Sequence, residues 1–245
     1  MTGEITVRNC VSLVDFHACV ALQREVWGEQ ELEVEPATLF VVAHHTGGQV
    51  LGAFAEGTLI GYTLALPGIR DGQPYLHSHM TGVHARYRDH GVGRMLKLFQ
   101  RDEARGRGIR LIEWTFDPLE LRNAHFNLNR LGAICRRYLP NLYGITTSPL
   151  HRGLATDRLV AEWYLDSPRV EAAIAGKLPE PLAGATVEIP SFVSDWKPSD
   201  LEQVQATQTA VRGQFSESFA KAYAAVGVVK TPTSGVYQLA PWSEF

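Results

Sequence analysis

Cysteine is scarce in this sequence, with three residues among 245, and no two of them have the C-x-x-C spacing. An odd number of cysteines at unrelated spacings argues against a disulfide framework and against a zinc ribbon. The sequence also lacks any apolar run near the roughly 20 residues that a membrane span requires, and it begins with no basic-then-apolar signal pattern. We therefore expect a globular, cytoplasmic protein that does not enter a membrane.

An excess of charge of one sign is missing as well. Lysine and arginine number 23 against 26 aspartates and glutamates, which leaves a formal net charge of −3. Such a balance gives no indication of a nucleic-acid-binding protein. Apolar residues make up 45% of the sequence, so a chain of this length can bury a sizeable core.

The composition changes near residue 166. All nine histidines and all three cysteines precede residue 152, whereas seven of the 13 prolines follow residue 165. Pro168 closes a strand-like run, which is typical of a boundary. We predict one domain over residues 1–165 and a C-terminal extension over residues 166–245 that packs on it.

Helix and strand patterns alternate in the first domain. Apolar residues at spacings of three and four predict helices over residues 11–27, 93–106 and about 121–131. Short apolar runs predict strands over residues 5–7, 50–55, 59–64, 75–83 and 111–116. A glycine turn at residues 56–58 predicts a hairpin, and His44 and His45 are assigned to a loop. This order predicts an α/β fold with a mixed central sheet flanked by helices.

The extension has a smaller α/β pattern of its own. Strands are predicted over residues 186–190 and 237–239, with a long helix over residues 199–226 between them. Ser199 and Glu202 have the spacing of a capping box, so Ser199 is the expected N-cap.

The junction between the strand that ends at Val83 and the following helix is the most informative stretch. Gly91 and Gly93 allow a sharp turn that brings backbone N–H groups close to a ligand, and a helix N-terminus adds free amides. Arg88 and Arg94 flank the turn and could pair with phosphate oxygens. The sequence lacks the Gly-Lys-Ser/Thr of a Walker loop and the third glycine of a dinucleotide fingerprint. The junction predicts a phosphate or pyrophosphate site, and the alternative is an ordinary strand–helix connection.

Arg88-x-x-Gly91-x-Gly93, with Val83 five residues before it, resembles motif A of the GNAT acyl-CoA N-acyltransferases. The strand over residues 111–116 and the following helix are similar to motif B of that family, and the resemblance covers residues 5–165. It implies the GNAT fold, loop amides that hold the pyrophosphate of coenzyme A, and a backbone amide at or beside Val83 that polarises the thioester carbonyl. The cofactor-binding residues that it implies are Thr81, Gly82, Val83, Arg88, Asp89, His90, Gly91, Val92, Gly93, Arg94 and Asn123.

The second motif departs from the family pattern. Many relatives carry a tyrosine, the general acid, four residues before the motif-B glycine, and here that position is Leu128, which cannot donate a proton. Water, Tyr138 or Tyr143 would have to serve instead, although simple packing explains both tyrosines. Asn123 lies two residues later than the asparagine of the family.

Two histidines are the leading candidates for the general base. His77 and His79 are two residues apart on a strand, so we expect them to face one side together with Thr81 and Val83. Histone acetyltransferases of this fold have a catalytic glutamate at the position of His77, and arylalkylamine N-acetyltransferases have a similar histidine pair. An imidazole, with an ordinary pKa of about 6.5, can accept the proton of an amine. His77 is the first candidate, His79 the second, and Glu113 on the neighbouring strand the third.

The same side chains have other uses. His77 and His79 could be hydrogen-bonded strand residues, and Glu113 could be a solvated outward-facing group. Two imidazoles on one face could also bind zinc, but such a site needs a third ligand, and we expect no metal.

The resemblance implies an acyltransferase that uses acetyl-CoA or another acyl-CoA as co-substrate. We expect it to acylate the amine of a small metabolite, such as an amino acid, by direct attack on the thioester. Four glutamates within residues 29–35 could attract a cationic amine to the acceptor cleft, although a solvated acidic loop is the commoner case. The extension would wall that cleft or form a homodimer contact. The alternative function is a CoA-binding sensor or scaffold without catalysis.

Overall fold

The computed structural model describes residues 4–27, 34–144, 153–179, 184–194, 196 and 198–242. The chain forms two compact units, Met1–Ile112 and Glu113–Phe245. Within the described ranges, no helix is both long enough and apolar enough to cross a membrane. The domain boundary predicted near residue 166 stays a prediction.

The first unit is a four-stranded antiparallel sheet with helices, as far as its residues are described. Its elements in chain order are β1 (Ile5–Asn9), α1 (Leu13–Trp27), α2 (Ala37–His45), β2 (Gln49–Ala55), β3 (Thr58–Arg70), β4 (Gln73–Val83) and α3 (Val92–Gly106). Neighbouring strands pair in the order β1-β2-β3-β4. Each strand and helix predicted for this part of the sequence is present.

The β2–β3 hairpin turns at two residues in the left-handed region of the backbone. Glu56 has φ +49° and Gly57 has φ +79°. Two successive positive φ values match the right-handed twist of the paired strands, and glycine adopts such a φ at no steric cost. The predicted hairpin is therefore confirmed, with its turn at the expected residues.

Helices cover both faces of this sheet. Alternation along β2 sends Val50 and Phe54 into a core with Phe16 and Phe40 of α1 and α2. Leu51, Ala53 and Ala55 point the other way, into a second core with Val92 and Leu96 of α3. Because helices cover both faces of the sheet, β2 is buried along its whole length. Burial on both faces leaves few positions for polar residues.

The second unit contains a further set of antiparallel strands. Its elements are β5 (Leu111–Phe116), which starts at the end of the first unit, α4 (Leu121–His125), β6 (Ile134–Leu139), β7 (Arg158–Tyr164), α5 (Pro168–Ile174), β8 (Ala185–Pro190), α6 (Leu201–Ala220), β9 (Tyr223–Lys230) and β10 (Ser234–Pro241). β6 pairs with β7 on one side and with β9 on the other, and β10 pairs with β9 and β8. The strand pairing therefore runs continuously from β7 to β8.

A buried ion pair joins α6 to the start of β7. The Arg212 guanidinium donates two hydrogen bonds of 2.9 Å to the carboxylate of Asp157, which is fully buried. The Tyr138 hydroxyl donates a third, of 2.7 Å, to the same carboxylate. Removing Arg212 would leave the buried carboxylate of Asp157 without its charged partner, at a cost of up to about 3–5 kcal/mol.

The helix predicted over residues 199–226 is shorter than expected. It ends at Ala220, Ala222 adopts φ +58°, and residues 223–230 form β9. Valines at 226, 228 and 229 favour a strand, and pairing with β10 outweighs the helical pattern. Ser199 is not the N-cap, because it lies in a short 3-10 turn and Asp200 precedes the first helical residue.

Two other boundaries differ from the prediction. His44 and His45 lie in the last turn of α2 and not in a loop, because the helix continues to His45. Thr46 is its C-cap, and the Thr46 hydroxyl donates a hydrogen bond of 2.9 Å to the carbonyl of Val42. The predicted helix over residues 121–131 is α4 followed by a π-helical turn at Phe126–Arg130.

Candidate active site

β4 leads into α3 through a turn that suits an anionic ligand. Gly91 is the N-cap of α3 and has φ +79°, a conformation that favours glycine. Gly93, in the first helical turn, has no such need: a Cβ added there would meet nothing within 4 Å. The fold itself therefore does not require a glycine at 93, and the first amides of α3 are donors of the kind that bind anions.

Basic side chains surround this turn. Arg88 is exposed, and its Nε donates a hydrogen bond of 3.3 Å to the carbonyl of Val83. This hydrogen bond connects the turn to the end of the strand. The Nδ1–H of His90 donates a hydrogen bond of 2.7 Å to the carbonyl of Arg88. Asp89, between these two residues, has a backbone φ of +66°. With Arg94 in the first turn of α3, the positive charges lie beside the positive end of the helix dipole.

A β-bulge interrupts β4 beside the two candidate bases. Leu64 pairs with Met80 and Ala65 pairs with Ser78, so the register against β3 shifts by one residue at His79. A bulge inserts one extra residue into one strand and re-aims the side chains around it. His79 is that extra residue.

The bulge overturns one expectation about the faces of β4. Met80 packs in the core under α1 and α2, whereas Val83 packs in the core under α3. Thr81 alternates with Met80 and lies on the face of Val83. Thr81 and Val83 therefore do not share the face of His77 and His79, because the period of two on which that expectation relied is broken at the bulge.

The two histidines lie side by side, as predicted. Their ring centroids are 6.3 Å apart. The His79 Nε2 atom is 3.0 Å from Oε1 of Glu35, which lies in the segment before α2. Their side chains are 27% and 32% exposed, so solvent reaches both members of the pair. The arrangement is an imidazole hydrogen-bonded to a carboxylate.

A buried lysine lies behind the same strand. Ser78 points to α3, where its hydroxyl accepts a hydrogen bond of 2.8 Å from the Lys97 ammonium. Lys97 is 4% exposed, and this burial lowers its pKa to about 7. Sequence reasoning missed Lys97 because a lysine on an amphipathic helix is usually solvated.

The remaining cofactor and base candidates lie in the second unit. Glu113 is buried, and its carboxylate accepts a hydrogen bond of 2.6 Å from Arg137. The guanidinium of Arg137 therefore occupies this carboxylate within the second unit. Asn123 is exposed on α4.

The candidate general acids have other roles in the structure. Leu128 is fully buried in the π-helical turn. Burial, together with its hydrogen bond to Asp157, raises the pKa of Tyr138 well above the ordinary value. The Tyr143 hydroxyl lies 3.1 Å from the Thr115 hydroxyl, and its side chain is half exposed. Of the two tyrosines, Tyr143 has the more accessible hydroxyl.

Three of the four glutamates expected to attract an amine, at positions 29, 31 and 33, lie outside the described residues. Glu35 is described, and no sequence signal indicated that it reaches His79, 44 residues later. Among the residues with described positions, no group of three or more His, Cys, Asp or Glu side chains is arranged to hold a metal ion.

Part of the chain is similar to one known protein family. Residues 16–132 match the model of the acetyltransferase (GNAT) family. The matched segment contains the strand–turn–helix junction and both histidines of β4. The search of curated proteins found no match.

Several solved structures share the fold. The ribosomal-protein-S18-alanine N-acetyltransferase from Escherichia coli is 13% identical, with a TM-score of 0.54 over 67% of this chain and 96% of that one. The yncA protein of Salmonella typhimurium, solved with its cofactor acetyl-CoA, is 18% identical, with a TM-score of 0.53 over 67% and 96%. The ribosomal-protein-alanine N-acetyltransferase from Brucella melitensis is 20% identical, with a TM-score of 0.51 over 64% and 98%. Residues 16–132 are therefore similar to the GNAT acetyltransferase family, and these solved structures share the fold of the chain.

Proposed function

We propose that this protein is an acyl-CoA-dependent N-acyltransferase that acts in the cytoplasm on the amine of a small metabolite, such as an amino acid. One observation carries the proposal: β4 presents the imidazole of His79 to a carboxylate and then leads directly into the glycine turn before α3. A proton acceptor and an anion-binding turn thus lie on one continuous piece of the first unit.

The turn fits the pyrophosphate of coenzyme A. The space above Gly93 admits a ligand to the first amides of α3, and Arg88 and Arg94 supply positive charge. When bound, acyl-CoA supplies the acyl group as an activated thioester. Thr81, Gly82 and Val83 belong to the strand segment for which the family resemblance implies contacts with the rest of the cofactor.

The residues of β4 prepare the amine. An aliphatic amine is mostly protonated at neutral pH and must lose a proton before its nitrogen lone pair can attack a carbonyl carbon. The imidazoles of His77 and His79 are the proposed acceptors of that proton. The negative charge of Glu35 beside them favours the approach of a cationic acceptor.

The cysteines support a direct transfer without an acyl-cysteine. Cys10, Cys19 and Cys135 are fully buried free thiols, which is consistent with a reducing compartment. Burial raises the pKa of Cys135 well above that of a free thiol, so the nucleophilic thiolate is disfavoured.

A second candidate function is binding of coenzyme A without catalysis, as a sensor or scaffold. The observation in its favour is Leu128, which stands where many family members have a tyrosine and is fully buried. An enzyme with this sequence has to protonate the departing thiolate from water or from another hydroxyl.

Release of free thiol from acetyl-CoA and succinyl-CoA distinguishes the two functions. The purified chain is tested against free amino acids, small amines and peptides with free N-termini, and mass spectrometry identifies any CoA thioester that co-purifies. Turnover with a free amino acid or small amine supports the proposal. Turnover with peptides alone contradicts the proposed substrate class, and tight CoA binding without any turnover supports the scaffold.

A further inference from the structure

A buried glutamine forms hydrogen bonds with the backbone of Glu35, the carboxylate partner of His79. Gln23 lies on α1 and is 1% exposed. Its Nε2 donates a hydrogen bond of 3.1 Å to the carbonyl of Glu35, and its Oε1 accepts a hydrogen bond of 2.8 Å from the amide of the same residue. Both polar ends of one side chain therefore bond to the backbone of one residue, which fixes the position and direction of Glu35.

The side chain of Glu35 continues this chain of contacts to β4. Its Oε1 lies 3.0 Å from Nε2 of His79. An ionised carboxylate only accepts hydrogen bonds, so Nε2 of His79 carries the proton in this contact. A neutral imidazole with its proton on Nε2 keeps the lone pair on Nδ1.

We infer that Gln23 and Glu35 are positioning residues for His79, and that they hold its imidazole in the tautomer whose Nδ1 accepts the proton of the substrate amine. The inference rests on the proposed function for the identity of the proton donor. The bulge at His79 lies where β4 meets the segment of Glu35.

The proton transfer is balanced within this arrangement. One N–H proton of the substrate ammonium moves to Nδ1 of His79, the electron pair of that N–H bond stays on the amine nitrogen, and the amine becomes neutral. His79 becomes an imidazolium whose Nε2–H still donates to Glu35, so the carboxylate stabilises the new charge. The side chain of His79 is 27% exposed, which lets the proton pass to solvent afterwards.

Two other titratable groups lie close to this pair. His77 is its neighbour on β4, and Tyr62 on β3 places its hydroxyl 3.8 Å from the sulfur of Met80. Burial first, and the Glu35 carboxylate to a smaller extent, raise the pKa of Tyr62 well above the ordinary value. Tyr62 therefore stays protonated near neutral pH and does not compete with His79 for the proton.

Nitrogen NMR of the ligand-free full chain tests the positioning directly. With 15N-labelled histidine, the ring nitrogens of His79 report which one carries the proton when the imidazole is neutral. We expect Nε2 to be protonated and Nδ1 unprotonated in the wild type. Gln23→Met, which keeps the volume but removes both hydrogen bonds, and Glu35→Ala should each move the two shifts towards the average of a tautomer mixture.

Gln49→Met is the matched control. Gln49 is also a buried glutamine of the first unit, but its Nε2 donates a hydrogen bond of 3.1 Å to the backbone carbonyl of Gln100 in α3. This variant loses buried hydrogen bonds, as Gln23→Met does, yet should leave the His79 tautomer and the transfer rate at wild-type values. Equal changes in Gln23→Met and Gln49→Met would show a general loss of packing and overturn the inference.

Kinetics give a second readout. Gln23→Met and Glu35→Ala should lower kcat roughly 10- to 100-fold, less than the loss of a general base itself, with the KM for acyl-CoA unchanged. If Gln23→Met does not fold, Glu35→Ala decides, because Glu35 is partly exposed. Unchanged shifts and kcat in Glu35→Ala would overturn the inference while leaving the proposed function intact. A fixed tautomer in a protein that acylates no amine would support the positioning and overturn the function.

Discussion

The ammonium group of Lys97 donates a hydrogen bond of 2.8 Å to the hydroxyl of Ser78 in the core between α3 and β4. A second hydrogen bond, of 3.0 Å, goes to the side-chain carbonyl of Gln100. Ser78 immediately precedes His79, so this buried contact ties α3 to β4 at the edge of the bulge.

Lys97→Met should change how the stability of the protein depends on pH. Burial lowers the Lys97 pKa from 10.5 to about 7, so the unfolded chain binds this proton more strongly between these values. The free energy of unfolding of the wild type should therefore rise with pH through that window, by roughly 4–5 kcal/mol at most. The variant should lack this rise. Urea unfolding of both proteins from about pH 6 to about pH 10.5 measures it, and parallel curves would rule the explanation out.

Asp117→Asn should stabilise the protein at neutral and alkaline pH. Burial raises the pKa of Asp117 from 3.8 to about 6, against the opposing effect of a hydrogen bond from the Leu119 amide. The protonated form is favoured in the fold, so this contribution to stability is complete below about pH 4 and is lost as the pH rises through 6. Asparagine keeps the acceptor without the charge, which should add up to about 3 kcal/mol near pH 8. Tm values that differ equally at pH 4 and pH 8 would contradict this account.

Gly93→Ala should weaken CoA binding without harming the fold. The added Cβ meets no protein atom within 4 Å, so a loss of affinity would come from the ligand that it obstructs. Gly91 is less suitable for this test, because its φ of +79° would strain any side chain.

Gly106→Ala, near the end of α3, is the matched control for Gly93→Ala. Its Cβ also meets open space, and alanine should stabilise the helix by up to about 1 kcal/mol without altering CoA affinity. Calorimetry measures both variants. An affinity in Gly93→Ala equal to that in Gly106→Ala would remove the turn as the pyrophosphate site.

His79→Ala should remove the limb of the kcat/KM profile that rises with pH. The expected loss is about 100- to 10,000-fold, with acyl-CoA affinity near wild type, because the proposed cofactor site is the turn and not the imidazole. His77→Ala should cost less, in contrast to the expectation from sequence, because the carboxylate contact of Glu35 is with His79. The wild type and both variants are measured with the same amine, so that the titration of the amine contributes equally to each pH profile. A rising limb that disappears only in His77→Ala would assign the base to His77.

Cys135→Ala should retain most turnover. Cys135 is fully buried, and its thiol is held in the protonated form. Mass spectrometry of the protein mixed with acyl-CoA, without an amine, should find no acyl group on this residue. An acylated Cys135, or loss of most activity in a variant that keeps its Tm, would establish a covalent mechanism.

Sequence reasoning predicted the candidate site where its signals are local. Gly91 and Gly93 are two residues apart and precede an apolar helical pattern. Such a junction depends on the local sequence and not on contacts with distant parts of the chain. It could not predict the bulge at His79, because the register between β3 and β4 depends on pairing across a hairpin with many side-chain contacts. The same limit affected residues 223–230, which pair with β10 and leave the predicted helix.

The sequence by itself determined the alternation of strands and helices, the hairpin at Glu56 and Gly57, and the glycine turn, since these follow from periodicity and from backbone conformations that only certain residues adopt. Only the tertiary structure decided that Glu35 meets His79 and that Lys97 is buried against Ser78. These contacts join residues 44 and 19 positions apart. Their distances depend on how α1, α2 and α3 pack on the sheet, and no local pattern of side chains encodes that packing.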